Sequence, residues 1–267
     1  MPYLNDYKAI LFDLDRTLIP PSREIYPEVV EMLKNLHEKG IITGLCTGRG
    51  YASVSNKFLP IFPDESIHIM SGGSLLISNS GKVLWEKSID PKSTEELKEL
   101  ILQTNSIGIF MKPDAQYAYG EVLEGIKNHP WNQIGKNLME MASDGVGLVY
   151  IAKPNEQVTA YLSQHPMLSF KEMQSNQGHM YYDITAKGVT KALAMEEWSK
   201  ITGIPTAEVI GFGDSINDLE FLQSVGFAVA MGNADEIIKN TANRTIGTVD
   251  QNGLATYVQS ILKGESL

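Results

Sequence analysis

Five short apolar runs mark the two ends of the chain, and each stops on a small or acidic residue: KAILFD (8–13), IITGLCTG (41–48), IHIMSGG (67–73), EVIGFGD (208–214) and GFAVAMGN (226–233). The runs are continuous rather than alternating, which is the pattern of strands covered on both faces, as parallel strands are beneath layers of helix. Between them the spacing changes. In PEVVEMLKNLHEKG, Val29, Met32, Leu33 and Leu36 recur at three and four residues and Gly40 supplies a stop, the mark of an amphipathic helix. Alternating strands and helices predict a doubly wound (Rossmann-like), mostly parallel α/β sheet. Ligands bind such sheets beyond the carboxyl ends of the strands. Asp13, Asp15, Thr47 and Asp214 all fall there.

The middle of the chain reads differently. SLLISNSGKVLWEKS (74–88) suits a hairpin turning at Asn79-Ser80-Gly81, and PKSTEELKELILQT (91–104) a helix opened by Pro91. From about 106 to 182 the strands are short and mixed (SIGIFMKP, VGLVYIAK, GHMYYDIT), with helical pieces such as NEQVTAYLSQ between them. No internal repeat or low-complexity linker interrupts the pattern. The expected organisation is a core built from residues 1–89 and 183–267, with residues 90–182 forming an inserted α+β cap.

Composition narrows the function. The 267 residues are 43% hydrophobic and carry a formal charge of −10, so a general nucleic-acid or anionic-membrane surface is not expected. An anionic substrate must instead meet local positive charge. The single cysteine, Cys46, excludes an intramolecular disulfide and a cysteine-based zinc site, and it fits a reducing cytoplasm as a buried small side chain. The start lacks the basic flank and apolar core of a signal peptide, and no segment approaches the roughly 20 apolar residues of a membrane span, so a soluble, unprocessed protein is expected.

Four segments carry candidate chemistry. In DLDRT (13–17), alternate residues of an extended chain project to one side, so Asp13 and Asp15 can face one pocket. Two carboxylates about 4 Å apart repel by roughly 4 kcal/mol at an effective dielectric of about 20, which asks for a cation or a shared proton. Oxygen donors with no histidine or cysteine beside them favour a hard ion such as magnesium. A strand-ending aspartate in an Asx turn would look the same over this stretch alone. GLCTGRG (44–50) offers the Thr47 hydroxyl and the Gly48 amide to an anion, and Arg49 either to substrate or to a surface pair. AKGVTKALAMEEW (186–198) opens a helix with Thr190 as a cap. Lys191 then sits in the first turn, where the helix dipole disfavours a cation unless an anion accompanies it, with Lys187 as the competing cation. In GFGDSINDLEFL (211–222), Asp214, Asn217 and Asp218 would converge if a helix starts at this point. Asp214 could equally be a helix cap, although a cap needs neither Gly-x-Gly before it nor a second aspartate four residues on.

The order and character of these segments resemble the haloacid dehalogenase-like (HAD) phosphohydrolases, and the long insert is similar to that of the Cof-type group, subfamily IIB, with its C2B cap. The resemblance covers nearly the whole chain, including the tail DQNGLATYVQSIL (250–262), and DxDxT with GDxxND at this separation carries most of it. It implies that Asp13 attacks phosphorus and forms an aspartyl-phosphate, while Asp15 protonates the leaving alcohol and later activates water. It also implies that Thr47, the Gly48 amide, Lys191 and Asn217 hold the phosphoryl oxygens, with Leu14 among the phosphate-binding positions. Magnesium (Mg2+) would be bound by Asp13, the main-chain carbonyl of Asp15 and Asp214, with Asp218 in support.

Two departures stand out. Family members commonly have Gly where Arg16 stands, and a side chain there is expected to narrow the entrance or salt-bridge to the cap. Many relatives have Asn where Gly72 stands. The five histidines (37, 68, 129, 165, 179) show no metal-ligand spacing, with His179 and Arg49 kept as substrate-contact candidates, and Tyr181 and Tyr182 are expected to pack the hinge. The implied function is a magnesium-dependent phosphatase acting on a small phosphorylated metabolite such as a sugar phosphate. A phosphomutase using the same aspartate, or a non-catalytic binding protein on this fold, are the alternatives.

Overall fold

The computed structural model describes residues 2–128, 134–174 and 178–267. Strand β1 (Ala9–Phe12), helix α1 (Pro27–Glu38) and β2 (Ile42–Leu45) open the chain, followed by an antiparallel β3 (Ile67–Met70), β4 (Leu75–Ser78) and β5 (Val83–Glu86). Then come α2 (Pro91–Thr104), β6 (Ile107–Met111), β7 (Gln116–Ala118), α3 (Gly120–Lys127), β8 (Gly135–Asn137), β9 (Leu148–Ala152), α4 (Glu156–Gln164), β10 (Leu168–Gln174) and β11 (Met180–Ala186). The chain finishes with α5 (Lys191–Thr202), β12 (Val209–Gly213), α6 (Leu219–Ser224), β13 (Phe227–Ala230), α7 (Glu236–Thr241), β14 (Arg244–Thr245) and α8 (Gly253–Leu262).

The continuous apolar runs become a parallel sheet in the order β14-β13-β12-β1-β2, with β1 and β12 buried along their whole length. β3 continues that side of the sheet through a parallel bridge from Cys46 to Ile69 and heads the three-stranded β3-β4-β5 sheet, whose hairpin turns where Asn-Ser-Gly predicted. The short, mixed strands form a second large sheet, β10-β11-β9-β6-β7-β8, antiparallel except for β7 with β8.

Two main hydrophobic clusters follow this division. One gathers residues from Leu4 to Ile77 and from Ala194 to Leu267, the other residues from Ile89 to Val189, where α2 and α4 cover one face of the second sheet. β11 runs through position 183 and ends at Ala186, so the second sheet takes in residues on both sides of the expected junction. His129 lies outside the described residues.

Three glycines set the frame of the site. A Cβ at Gly73 (φ +103°) would lie 2.2 Å from the Thr190 carbonyl oxygen, so only glycine lets the turn after β3 press against the start of α5. A Cβ at Gly213 would lie 2.7 Å from that of Asp218, and one at Gly211 would lie 2.9 Å from the Phe221 ring. Gly-Phe-Gly is therefore the flat surface on which the Asp218 segment sits.

Candidate active site

The apolar strand β1 delivers Asp13 to its carboxyl end, where the Asp13 amide donates to the Phe212 carbonyl of β12 at 2.9 Å. α5 begins with Lys191, capped by the Thr190 hydroxyl, which accepts from the Leu193 amide at 3.1 Å. The ammonium of Lys191, 1% exposed, donates to Asp13 Oδ1 at 2.8 Å and to Asp218 Oδ1 at 2.6 Å. These are the anions that a cation in the first turn of a helix requires. The other oxygen of Asp218 accepts from the amides of Asp214 and Ser215 at 3.0 and 3.1 Å. The Gly213–Asp218 stretch is thus a tight turn with a 3-10 segment, Ile216–Asp218, rather than a helix starting at Asp214. Ser215 and Asp218 form the capping box there, leaving the Asp214 side chain out of the capping role.

Asp13, Asp214 and Asp218 each place a carboxylate oxygen within 4.8 Å of the others, all three buried. Burial, reinforced by the charge of Asp218 and opposed by Lys191, pushes the Asp13 carboxyl up to about 7. Burial, with the charges of Asp13 and Asp218, pushes Asp214 up to about 8, against the pull of Arg16 and Lys191. For Lys191, burial works against the charge but the two carboxylates outweigh it, holding the ammonium well above its ordinary value. When all three carboxyls are ionised they outnumber the two cations that face them, Lys191 and Arg16. Asp214 Oδ2 is buried and accepts no hydrogen bond, its Arg16 Nε neighbour at 3.2 Å being an ionic contact only. An all-oxygen set with an orphaned oxygen suits a hard divalent cation.

Asp15 lines the same cavity as Asp13, as the alternate spacing predicts. Its carboxylate is not a member of the group of three; both oxygens accept from Arg49, Nε to Oδ2 at 2.7 Å and Nη2 to Oδ1 at 2.6 Å. The close carboxylate neighbours of Asp13 are therefore Asp214 and Asp218, brought from the far end of the sequence, and Arg49 spends its charge inside the site rather than on the surface. Arg16 departs from expectation in its partner. It lines the cavity, but its ion pair is with Asp214 rather than with the cap, and its φ of +63° is the left-handed region that explains a common glycine there. Its Nη2 donates to the Asn233 carbonyl at 2.9 Å, and Asn233 Nδ2 donates back to the Arg16 carbonyl at 2.9 Å.

The anion-binding candidates gather beside this cluster. Thr47 is buried, with its hydroxyl accepting from the Arg49 amide at 3.2 Å. A Cβ built on Gly48 would be 3.9 Å from Asn217 Nδ2, whose own Oδ1 accepts from the Ser215 hydroxyl at 2.7 Å. The Leu14 side chain belongs to the core and its carbonyl accepts from Leu18 and Ile19, so its amide is what it can bring to a phosphate. Lys187, the competing cation, is exposed. Cys46 is buried, and burial raises its thiol above the ordinary range.

Over the strand ends lies a cavity of about 470 Å³ that reaches Asp13, Asp15, Thr47, Gly48, Asp214 and Asn217. Its other wall comes from the second sheet and includes Tyr150, Tyr181 and Asp183. Tyr182 packs into the hydrophobic cluster beneath that sheet, whereas Tyr181 lines the cavity. His179 is exposed and is not among the lining residues. Asp183 is a lining residue that sequence reasoning missed. It lies 3.8 Å from the Cβ position of Gly48, and enclosure by protein pushes its carboxyl up to about 7 despite Lys191 and Lys171. The signal that could have found it is its position two residues after Tyr181, on the same face of one strand.

A parallel sheet whose strand ends collect a buried lysine, a carboxylate triad and phosphate-sized anion donors defines a phosphoryl-transfer hydrolase. Comparison with known proteins agrees. Residues 10–258 match the family described as haloacid dehalogenase-like hydrolase. The chain is 26% identical over 269 residues to the 5-amino-6-(5-phospho-D-ribitylamino)uracil phosphatase YitU of Bacillus subtilis, covering 97% of each. It is 26% identical over 271 residues to the pyridoxal phosphate phosphatase YbhA of Escherichia coli, covering 96% of this chain and 98% of that one. Among solved structures, the HAD subclass IIB sugar phosphatase BT4131 superposes with a TM-score of 0.78 at 22% identity, covering 95% and 98% of the two chains. The chain belongs to the haloacid dehalogenase-like hydrolases and is a phosphoric monoester hydrolase. Among the described residues no helix is long and apolar enough to cross a membrane.

Proposed function

We propose that this hydrolase is a magnesium-dependent phosphatase of small phosphate monoesters, sugar phosphates or phosphorylated cofactors, working through an aspartyl-phosphate on Asp13. The observation that carries the reading is the buried Lys191 ammonium bonded to Asp13 at 2.8 Å beside the orphaned oxygen of Asp214. Asp13 supplies the nucleophilic oxygen. As the phosphorus–oxygen bond to the alcohol breaks, Asp15 gives its proton to the leaving oxygen. Asp15 then takes a proton from water as that water attacks phosphorus, releasing phosphate and restoring the Asp13 carboxylate.

Thr47, the amides of Leu14 and Gly48, Lys191 and Asn217 donate to the phosphoryl oxygens. A magnesium ion held by Asp13, the main-chain carbonyl of Asp15 and Asp214 would offset charge on those oxygens. Asp218, with both oxygens already accepting hydrogen bonds, supports the site by holding Lys191 in place. Residues 90–182, as a cap over the strand ends, exclude water and read the leaving group. The relatives named as phosphatases of 5-amino-6-(5-phospho-D-ribitylamino)uracil and of pyridoxal phosphate support a small monoester as the substrate.

Phosphate release from p-nitrophenyl phosphate with and without magnesium tests the reading, with Asp13→Asn as the control. Metal-dependent release by the wild type and none by the variant supports it. No metal-dependent release would favour a binding protein on this fold, and transfer of phosphate between alcohols without release would favour a mutase.

A further inference from the structure

The second sheet roofs a second cavity beside the one above Asp13. Alternation along β11 sends Tyr182 and Ile184 to the face covered by helices, and Tyr181, Asp183 and Thr185 to the face above the strand ends. Tyr181 lines the first cavity, Thr185 lines the second, of about 170 Å³, and Asp183, between them, lines both. Gly48 and Asn217 also line both and complete the partition. A Cβ at Gly48 would lie 3.8 Å from the Asp183 carboxylate and 3.9 Å from the Asn217 amide, so glycine keeps the passage between the cavities clear of a side chain. Asp13 lines the first cavity and not the second, and Lys191 the second and not the first. A phosphoryl group taken by Asp13 and held by Lys191 would therefore stand in the doorway between them.

The two ways out of that doorway are unequal. On the first side the wall carries four carboxylates, Asp13, Asp15, Asp183 and Asp214, against the guanidiniums of Arg16, Arg23 and Arg49, and a phosphate ion must pass them through the space the alcohol uses. On the second side two ammoniums, Lys191 at the inner end and Lys171 at the outer, balance Asp183 and Glu220. Ser169 and Thr190 line the way between. Each hydroxyl accepts from an amide, that of Gly188 at 3.2 Å and that of Leu193 at 3.1 Å, which leaves its proton for an oxyanion. Lys171 on β10 and Glu220 on α6 meet at 2.8 Å with side chains 36% and 43% exposed, so their ion pair spans the outer end where the cavity reaches solvent. A pair so exposed is weak and parts readily. We propose that the second cavity is a transit site for inorganic phosphate, which leaves sideways from Lys191 past Ser169 and out where the Lys171–Glu220 pair opens. This inference rests on the phosphatase reading and adds the route by which its product departs.

Stopped-flow dissociation of inorganic phosphate from the full chain tests it. Enzyme loaded with phosphate and magnesium is mixed with a fluorescent phosphate-capturing protein, and kcat/KM for p-nitrophenyl phosphate is measured on the same samples. That ratio covers the steps up to departure of the alcohol and does not see phosphate leave. Ser169→Phe sets a ring in the passage and should slow phosphate dissociation by at least about 5-fold, the low end of what overpacking costs, with kcat/KM unchanged. Glu220→Gln unlatches the outer end and should speed dissociation by roughly 2- to 5-fold, the worth of an exposed pair. Should thermal melts show Ser169→Phe unfolded, the acceleration in Glu220→Gln decides. Dissociation unmoved by the substitutions, or a fall in kcat/KM as large as the fall in dissociation, overturns the inference and leaves the phosphatase reading standing. No phosphate release from p-nitrophenyl phosphate by the wild type overturns both.

Discussion

Arg49 holds Asp15 through two parallel hydrogen bonds of 2.6 and 2.7 Å, the fork-to-fork geometry that only arginine can offer a carboxylate. A protonated Asp15 cannot keep both bonds, so in the proposed mechanism the step that gives a proton to the leaving alcohol begins by loosening this pair. Arg49→Lys keeps the charge and loses the fork. It should lower kcat by less than Asp15→Asn, which removes the acid itself and should cost about 10²- to 10⁴-fold. Parallel kcat measurements on an ester with a poor leaving group and on p-nitrophenyl phosphate check this, the loss at Asp15 being larger for the poor leaving group.

Lys191 is the structural counterweight of the site, paired with Asp13 and Asp218. Lys191→Met leaves two buried carboxylates without their partner and should destabilise the fold by about 3–5 kcal/mol in urea unfolding. Adding Asp218→Asn removes one of the two stranded charges and should recover part of the loss, a coupling that a double-mutant cycle reads directly.

The raised Asp13 and Asp214 carboxyls give a pH signature. Between the ordinary carboxylate range near 4 and their folded values of about 7 and 8, the folded state holds protons that the unfolded chain has released. Their contribution therefore falls as pH rises through that window. A magnesium ion bound at the proposed site would compensate the ionised forms, so the rise in melting temperature on adding it over EDTA should grow from pH 5 to pH 8. His68, buried and held neutral down to about 4, adds the same pH dependence to both conditions and drops out of the difference.

Arg16 places a positive charge 3.2 Å from Asp214 Oδ2. Replacing it by the glycine common in the family removes a competitor for that oxygen and suits the φ of +63°. Arg16→Gly should lower the magnesium concentration for half-maximal activity by several-fold, roughly threefold or more given the charge removed. An unchanged or weaker metal requirement would mean that the contact does not oppose the ion.

Gly213→Ala would set a methyl group 2.7 Å from the Asp218 Cβ. The fold should lose about 1–3 kcal/mol through overpacking, and activity should fall further as Asp218 shifts from Lys191. Thermal melts and kcat on the same sample separate the two effects.

Much of this architecture was legible in the sequence because period and punctuation carry it. The continuous runs announced parallel strands, the misplaced charge of Lys191 announced an anion that proved to be two, and the Gly-x-Gly that a helix cap does not need proved to seat Asp218 on Gly213. What stayed hidden depends on pairing across long sequence separations. Asp15 lies two residues from Asp13, yet its partner is 34 residues away, and spacing alone cannot tell a carboxylate aimed at a shared cation from one aimed at an arginine. The face taken by Tyr181 likewise depends on strand register, which fixes it opposite Met173 and leaves Tyr182 to the core.

The two-faced second sheet has a consequence for the lineage of such enzymes. Because neighbouring residues on each strand serve different masters, one holding the helices and the next lining the cavity, the roof can be recut by mutation while the scaffold behind it stays intact. Descendants sharing this frame are free to diverge in diet without renegotiating how they fold.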